Sequence, residues 1–445
     1  MKTIFKWTSI LILTTLLFLG GYYFRYRFIP LVKVGNAIHI HYKNTEGYSD
    51  QLSYQLGDTV ALKIRALSNG IGIVNRLLSN GEKLALDTFE ITIQDQLIDS
   101  TQSEFGCDWK TTNRFHLNSN FQSGYYQIDL LDGEESSSIN FIIEDHTPSK
   151  VIVLAPISTW VAYNDWGGKS FYDNNYEAKT VYYSSTQRPF KPENLIVEAQ
   201  IANFFGTHYN AALAPDYYLE NNLDELRKYD VIVLAYHAEY FTEQMYSNLL
   251  KLVNEDKKSL ISLGGNQVYW KTKWNSDYTI LECHKDLTSF DDNILDYGGM
   301  WRHHFGKSEH HLLGVRYTES GIHTFAPYAV TAADHWMYNN LAVQNGILFG
   351  STGITNRGIS GDETDKVFSL KSNMTVLAKG QNCAESLSGK ALEDCIQQSG
   401  ADFVITENEQ NMILSTGSIE SGAGLESDSV FTTMIHNFMK RVLNP

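Results

Sequence analysis

The sequence lacks the short motifs that mark several large enzyme classes. It has no glycine-rich phosphate-binding loop, no G-x-G-x-x-G after a strand and no H-E-x-x-H zinc motif. The segment Phe349-Gly-Ser-Thr-Gly353 lacks the G-x-S-x-G spacing of a nucleophile elbow, and no cysteine follows a strand directly. These absences argue against nucleotide-dependent enzymes, zinc proteases, serine hydrolases and thiol amidotransferases.

Positive charge and cysteine are also scarce. The chain has 35 Lys and Arg against 51 Asp and Glu, a formal net charge of −16, which argues against nucleic acid and anionic lipid headgroups as partners. The four cysteines have no zinc-site spacing. Cys383 and Cys395 bracket a polar loop and fit a disulfide, whereas Cys107 and Cys283 fit either a pair or two free buried thiols.

The N-terminal segment carries a long uncharged run. Residues 7–24 contain no charged side chain and are just long enough to span a bilayer. No convincing cleavage site follows, so we favour an uncleaved anchor within residues 1–30 over a cleaved signal peptide. This predicts a single-pass membrane protein whose bulk is exported to a periplasmic or extracellular location.

Residues 31–148 contain short segments in which apolar and polar residues alternate. Examples are Thr59–Arg65 and Tyr125–Leu130, separated from their neighbours by Gly, Asn, Asp and Ser. This pattern predicts an antiparallel β-sandwich domain. Within it, Tyr125 and Tyr126 point to opposite faces of one strand, so one belongs to the core and the other faces solvent or a neighbouring domain.

From residue 149 to 445 the pattern changes to buried strands that alternate with helices. The apolar runs 151–156, 231–236 and 259–263 are short and unbroken, and 242–253 has an apolar stripe at helical spacing behind a capping threonine. The alternation predicts a parallel, doubly wound α/β sheet. The predicted fold class is therefore α/β, preceded by an all-β sandwich domain and a transmembrane anchor.

Polar side chains follow three of the predicted parallel strands. Tyr163 lies after the first strand, His237 and Glu239 after the second, and Asn266 after the third. Because the carboxyl ends of parallel strands share one sheet edge, we expect these side chains to converge. Glu239 with a Tyr163 phenolate would suit a hard cation such as ferric iron or magnesium. The alternative is that such tyrosines are core or rim aromatics whose hydroxyls are already hydrogen bonded.

The C-terminal half offers weaker candidates. The pairs His303-His304 and His310-His311 form a second possible metal site, although adjacent histidines in a polar loop are more often solvated. The groups Asp334-His335-Trp336 and Glu363-x-Asp365 are further polar clusters to which the residues alone assign no role.

Taken together, the polar segments resemble the C-terminal region of the large (beta) subunit of N,N-dimethylformamidase and its relatives. The resemblance covers residues 150–445 and extends more loosely to Ser123-Gly-x-Tyr126. It implies a glutamine-amidotransferase-like sheet over residues 149–445. The matching segments, in order, are Trp160-Val-Ala-Tyr-Asn-x-Trp-Gly-Gly-Lys-Ser170, Arg188-Pro-Phe190, His237-x-Glu-Tyr240, Gly264-Gly-Asn266, Asp334-His-Trp336 and Glu363-x-Asp365.

The resemblance implies an amidohydrolase with a mononuclear iron held by two tyrosines and one glutamate. Matched position by position, it implies Tyr163 and Glu239 as ligands and Tyr126 as the second phenolate. Two phenolates and a carboxylate supply three negative charges, which suits Fe³⁺ acting as a Lewis acid on an amide carbonyl or a bound water. Tyr240 is assigned to packing.

The resemblance also implies catalytic residues around the metal. His237 would act as general base or as a donor to the oxyanion, Asn266 would orient the carbonyl or the water, and Glu363 matches another pocket carboxylate. This sequence departs from the family in having His-Ala-Glu-Tyr-Phe where relatives have His-Asp-Glu-Tyr-Trp, and in its predicted anchor.

The sequence therefore predicts an exported, membrane-anchored, metal-dependent hydrolase of amide C–N bonds with a small amide-containing substrate. The alternative is a non-catalytic surface protein that binds a glycan or another ligand on the same scaffold. A second copy of the chain and a separate small subunit, which the family enzyme has, are the protein partners left open.

Overall fold

The computed structural model describes residues 42–133, 136–172, 180–192, 194–285, 298–318, 320–383, 387 and 389–444. Ten α-helices lie within these residues, and half of them are four-residue turns. They are α1 (Gln102–Phe105), α2 (Ile157–Tyr163), α3 (Leu195–Tyr209), α4 (Tyr218–Asn221), α5 (Leu223–Leu226), α6 (Glu243–Asn254), α7 (Trp301–His304), α8 (His310–Leu313), α9 (Gly389–Gln398) and α10 (Ser429–Leu443), with 3₁₀ turns at Trp166–Gly168, Trp336–Tyr338 and Ile419–Gly424.

Two sheets are built from the period-two strands of the N-terminal region. These strands are β1 (Thr45–Ser49), β2 (Ser53–Tyr54), β3 (Thr59–Ala66), β4 (Gly70–Leu77), β5 (Lys83–Ile91), β6 (Asn113–His116), β7 (Gly124–Leu131) and β8 (Ser136–Ile143). The sheet orders are β1-β3-β6 and β2-β8-β7-β4-β5. Side chains from both sheets, including Leu62, Val74 and Ile128, meet in one buried apolar cluster because alternation turns one face of each strand inward. We call these two sheets and the core that they share the sandwich.

Strand β7 places its two tyrosines on opposite faces, as predicted. Tyr126 lies in the core of the sandwich. Tyr125 instead packs against Trp160 of α2, with ring centroids 5.9 Å apart. One face of the strand therefore stabilises the sandwich, and the other joins it to the following region.

A mixed nine-stranded sheet organises the rest of the chain. The strands from residue 151 onward are β9 (Val151–Ala155), β10 (Tyr183–Ser185), β11 (Ala212–Pro215), β12 (Val231–Ala235), β13 (Tyr240–Thr242), β14 (Ser259–Leu263), β15 (Trp270–Trp274), β16 (Ile280–Glu282), β17 (Val315–Thr318), β18 (Thr324–Ala326), β19 (Tyr328–Val330), β20 (Leu348–Phe349), β21 (Ser360–Asp362), β22 (Thr364–Val367), β23 (Met374–Gly380), β24 (Asp402–Glu407) and β25 (Met412–Ser415). The large sheet has the order β11-β9-β12-β14-β25-β24-β23-β19-β20. Neighbours from β11 to β25 are parallel, and neighbours from β25 to β20 are antiparallel.

The strands next to the candidate site occur where the sequence predicts them. β9, β12 and β14 are fully buried and lie side by side in parallel. α6 begins after Thr242, whose hydroxyl accepts a hydrogen bond from the Met245 backbone N–H at 3.2 Å. A smaller sheet of order β10-β16-β15-β13 adjoins them.

The predicted fold class is nevertheless wrong. The described chain is mostly sheet, distributed over several sheets, with 24% helix, and it does not show a glutamine-amidotransferase-like, doubly wound α/β fold behind an N-terminal anchor. The physical reason is that β25, β24 and β23 follow one another as antiparallel neighbours, so helices do not cover the sheet by regular parallel crossovers.

The predicted membrane location is also corrected. The segment 7–24, on which it rests, lies outside the described residues. Within the part of the chain that the structure describes, no helix combines the length and the apolar character needed to cross a membrane.

The cysteine predictions are resolved. Cys383 and Cys395 form a disulfide with a Cα–Cα distance of 6.0 Å, which confirms the predicted pair. Cys107 and Cys283 are both buried free thiols, so of the two alternatives for them the unpaired one is correct.

Candidate active site

Five predicted site residues converge at one edge of the large sheet. Tyr163 ends α2 directly after β9, and His237 and Glu239 follow β12. Asn266 follows β14, and Glu363 lies in the turn between β21 and β22. β9, β12 and β14 are adjacent and parallel, so their carboxyl ends bring the first four of these residues together, and the turn between β21 and β22 adds Glu363. We call these five residues and Tyr172 the Glu239 cluster.

Glu239 lies at the centre of this cluster and is 2% exposed. Its Oε2 accepts hydrogen bonds from the hydroxyls of Tyr163 at 2.9 Å and Tyr172 at 3.2 Å. The same oxygen lies 3.3 Å from His237 Nε2. The Glu239 backbone N–H donates to Thr159 Oγ1 at 3.1 Å, which fixes the carboxylate from the main-chain side. Three polar groups therefore surround one buried carboxylate oxygen.

The His237–Glu239 pair is charged in this geometry. Burial disfavours the imidazolium, but Glu239, Glu363 and the Gly265 carbonyl outweigh it and raise the pKa of His237 to about 9. Burial also opposes ionisation of Glu239, and His237 with Lys285 reverses this, so the pKa of Glu239 is lowered. Both partners' shifts favour an ion pair.

A hydrogen bond to the backbone also fixes the orientation of the His237 ring. Nδ1 lies 3.0 Å from the Gly265 carbonyl oxygen, which can only accept, so Nδ1 carries a proton. Nε2 then faces Glu239 and the Tyr163 hydroxyl, the latter at 3.2 Å. The imidazole is held from behind and presents one nitrogen to the cluster.

Asn266 bridges two carboxylates and keeps a free acceptor. Its Nδ2 donates to Glu239 Oε1 at 3.1 Å and to Glu363 Oε2 at 2.8 Å. Its Oδ1 is buried and has no hydrogen-bond partner among the described residues. A buried unpaired acceptor is costly, so this oxygen suits a donor supplied by a ligand or a water. Burial raises the pKa of Glu363, whose side chain remains 17% exposed.

The backbone around the cluster is strained. Tyr236, Asn266 and Val268 all adopt left-handed conformations, with φ of 53°, 47° and 55°. Each such residue costs on the order of 1–3 kcal/mol, and the β-branched Val268 is the most unusual. The turn has no room for a side chain at Gly264, where a Cβ would lie 1.6 Å from the Tyr236 carbonyl oxygen. Asp365 Oδ1 holds the turn by accepting from the Asn266 backbone N–H at 2.8 Å.

Tyr172, Tyr240 and Lys285 belong to the site but were not among the residues predicted for it. The Tyr172 hydroxyl lies 2.6 Å from that of Tyr240, and Lys285 Nζ donates to Tyr240 at 2.9 Å. Lys285 Nζ also lies 3.2 Å from the centroid of the Tyr172 ring. Burial lowers the pKa of Lys285 to about 8. Tyr172 is 43% exposed, so the cluster reaches the surface on this side.

The sequence offers a way to identify Tyr172 and Tyr240 but not Lys285. Tyr172 lies two positions after the segment Trp160–Ser170 that contains Tyr163, and Tyr240 adjoins Glu239, so the family segments lead to both residues. Lys285 belongs to no motif. It follows β16, which pairs with β15, and β15 in turn pairs with β13 next to Glu239. Only the tertiary structure identifies it.

Tyr126, the predicted second phenolate, lies elsewhere. Its hydroxyl donates to the Gln122 carbonyl oxygen at 2.7 Å and accepts from the Gln122 N–H at 3.1 Å. Its ring stacks on Phe141 with centroids 5.4 Å apart. Strand alternation turns Tyr126 into the sandwich core, away from the large sheet, and the structure does not bring it to Tyr163 and Glu239.

The weaker metal candidates do not form a site. No group of three or more His, Cys, Asp or Glu side chains suited to a metal ion occurs among the described residues. His303 is exposed, and His310 Nδ1 lies 2.7 Å from Ser308 Oγ. Trp336 Nε1 donates to Glu407 at 2.8 Å, so the Asp334-His335-Trp336 segment makes a local surface contact.

Comparisons with known proteins include a family match over most of the chain. A family model described as N,N-dimethylformamidase beta subunit-like, C-terminal, matches residues 80–434. No curated protein matches the chain. Among solved structures, Cwp6 from Clostridium difficile is similar at 13% identity over 50% of this chain, with a TM-score of 0.14. The chain spans 37% of the length of that protein, and so low a TM-score carries no argument.

Proposed function

This chain belongs to the N,N-dimethylformamidase beta subunit-like, C-terminal family, and on that premise we propose that it hydrolyses an amide C–N bond in a small substrate at the Glu239 cluster. The observation that carries the proposal is the convergence of a carboxylate, two phenols, an imidazole and an amide on one buried point. Buried charges and an unsatisfied acceptor cost stability, and such groups gather where chemistry requires them.

The oxygen donors fit a hard trivalent cation. Glu239 Oε2 has the hydroxyls of Tyr163 and Tyr172 within 3.2 Å, so three oxygen donors meet at one point. We propose that these three residues hold Fe³⁺, with Tyr172 in the role predicted for Tyr126. Burial and the charge of Glu239 raise the pKa of both phenols, so a strong cation is needed to ionise them. Iron would supply Lewis-acid polarisation of the amide carbonyl.

The remaining residues bind the substrate and handle protons. His237 Nε2 faces the cluster and would donate a hydrogen bond to the oxygen that becomes negative when water adds to the carbonyl carbon. Asn266 Oδ1 accepts from the amide N–H or from the attacking water. Glu363, whose pKa is raised by burial, takes a proton from the attacking water and passes it to the leaving nitrogen as the C–N bond breaks. The products are a carboxylic acid and an amine.

The metal assignment is tested on purified protein supplied with iron during expression. We expect bound iron and a visible tyrosinate-to-iron charge-transfer band, which weakens in Tyr172→Phe, where Tyr163 is the remaining phenolate, and is unchanged in Tyr126→Phe. A colourless, iron-free protein would remove Fe³⁺ from the proposal. A band that weakens in Tyr126→Phe and is unchanged in Tyr172→Phe would restore the ligand set first predicted.

The reaction is tested by amine release from a panel of small amides and N-acyl sugars. We expect at least one to be hydrolysed by the iron-loaded protein, and Glu363→Gln to slow its turnover. Failure of the whole panel with fully loaded protein would overturn amide hydrolysis.

A further inference from the structure

A second cleft, of about 630 Å³, lies between the sandwich and the loop that follows α2. Its volume falls in the range of roughly 300–1,000 Å³ that is usual for small-ligand sites. Residues of β1, β7 and β8 form one side, and the segment from Asn164 to Gly168 with Pro189 and Phe190 forms the other. The cleft shares no lining residue with the Glu239 cluster.

The aromatic side of the cleft is fixed in place. The indole N–H of Trp166 donates to Glu46 Oε2 at 2.9 Å. The Trp166 ring makes edge contacts with Tyr42 and Trp109 at centroid distances of 5.4 and 5.9 Å. Arg188, which is fully buried, donates to the Trp166 carbonyl oxygen at 2.6 Å. A half-buried ring held this firmly offers an apolar surface at little entropic cost to a ligand.

The polar side contains a carboxylate with an unsatisfied atom. Glu46 lines the cleft and is 3% exposed, and its Oε1 has no hydrogen-bond partner among the described residues. The nearest cation, Arg65 Nη1, lies 3.9 Å from it. The hydroxyl-bearing residues Ser137 and Ser138 and the amide of Gln127 line the same cleft. A ligand hydroxyl would satisfy the Glu46 oxygen.

The charges in the cleft balance. Lys83 Nζ pairs with Asp129 at 2.8 Å, and Lys43 donates to the Ser136 carbonyl oxygen. The charged lining residues are three acids, Glu46, Asp129 and Asp165, and three lysines, Lys43, Lys83 and Lys191. Neither an anion nor a cation gains from this arrangement, whereas a neutral ligand rich in hydroxyls meets donors and acceptors alike.

We propose that this cleft is a second ligand site, which takes a neutral saccharide. One sugar ring packs on Trp166, and its hydroxyls bond to Glu46 and to polar side chains of β7 and β8. The site goes beyond amide hydrolysis and does not depend on it, because the two sets of residues are separate.

The proposal is tested by calorimetric titration of the full chain with cellobiose, maltose and N,N′-diacetylchitobiose. We expect at least one to bind, and Trp166→Ala to weaken that binding at least about tenfold. Trp336→Ala is the matched control, because Trp336 is also half-buried and also donates its indole N–H to a glutamate, outside the cleft. The Trp336→Ala variant should bind the sugar with the same affinity as the parent protein.

A second variant covers the case in which Trp166→Ala does not fold. Glu46→Gln keeps an oxygen for the Trp166 indole and removes the unpaired carboxylate oxygen, so binding should weaken while the circular dichroism spectrum is unchanged. Absence of binding by all three sugars, or sugar binding that neither variant alters, overturns the proposal. Binding of the diamine putrescine in the same titration, without sugar binding, also overturns it. Amide hydrolysis is measured on Glu46→Gln as well and should be unchanged. A failure of sugar binding can then be distinguished from a failure of the proposed reaction.

Discussion

The sandwich core and the Glu239 cluster bury polar groups in opposite ways. In the core, Tyr126 is a buried phenol whose hydroxyl donates to the Gln122 carbonyl oxygen and accepts from the Gln122 N–H. It lies on β7, which pairs with β8 in a continuous register. In the cluster, Tyr163 is a half-buried phenol whose hydroxyl contacts an ion pair, beside three residues in left-handed conformations. The comparison teaches that a fully satisfied site serves stability, whereas an unsatisfied and strained one is held in place for binding or catalysis.

The largest contrast should come from Glu239→Gln. Loss of the central negative charge removes both the proposed iron ligand and the partner of His237, so kcat/KM for a hydrolysed amide should fall on the order of 10³-fold. In the sandwich, Tyr126→Phe should leave kcat/KM unchanged. Steady-state kinetics on both variants checks this. If Tyr126→Phe lost as much activity as Glu239→Gln, the sandwich core could not be assigned to stability alone.

Phe141→Ala should produce the reverse result. Phe141 is fully buried and stacks on Tyr126, so truncation should lower the free energy of unfolding by about 3–5 kcal/mol. Urea unfolding measures this loss. At low denaturant the folded fraction should retain the parental KM, and an altered KM would show that the sandwich core acts on the site.

A pair of buried asparagines gives a finer comparison. Asn266→Ala should lower kcat about 10²-fold, because it removes the amide that joins Glu239 and Glu363. Asn140→Ala, in the sandwich, should lower stability by about 1–2 kcal/mol, because Gln127 loses its acceptor there. Its kcat should be that of the parent. Equal decreases of kcat in the two variants would contradict the separate roles of the Glu239 cluster and the sandwich core.

The last comparison concerns the pH dependence of stability at Glu198. Glu198 on α3 is buried and accepts from the Trp160 indole, and burial raises its pKa from 4.5 to about 8. Between these values the unfolded chain releases a proton that the folded chain keeps, so this residue lowers stability as pH rises, and the effect levels off above about 8.

Glu198→Gln removes that contribution. The variant should exceed the parent in free energy of unfolding by about 1–3 kcal/mol at pH 8, with a smaller difference at pH 5. Urea titrations at the two pH values check the sign. A difference that grows toward low pH would show that Glu198 is ionised in the folded protein.

Local sequence patterns predicted the elements that carry the site. Unbroken runs of β-branched and apolar residues fixed β9, β12 and β14, and a threonine cap with an apolar stripe fixed α6, because such patterns depend on near neighbours only. Polar residues placed directly after those strands indicated Tyr163, His237, Glu239 and Asn266 as a converging group. The family resemblance supplied Glu363, and family membership is confirmed by the match over residues 80–434.

Other features depended on how distant segments pair, and the tertiary structure decided them. Tyr126 and Tyr163 are both tyrosines beside a matching motif, and only the sheet to which each strand belongs separates the core phenol from the site phenol. The antiparallel half of the large sheet and the approach of Lys285 to Tyr240 arise in the same way. The sequence by itself determined which short segments are strands and which polar groups end them, because those preferences are local. Sheet order and the contacts across it required the folded chain, because they result from burial summed over many residues that are far apart in sequence.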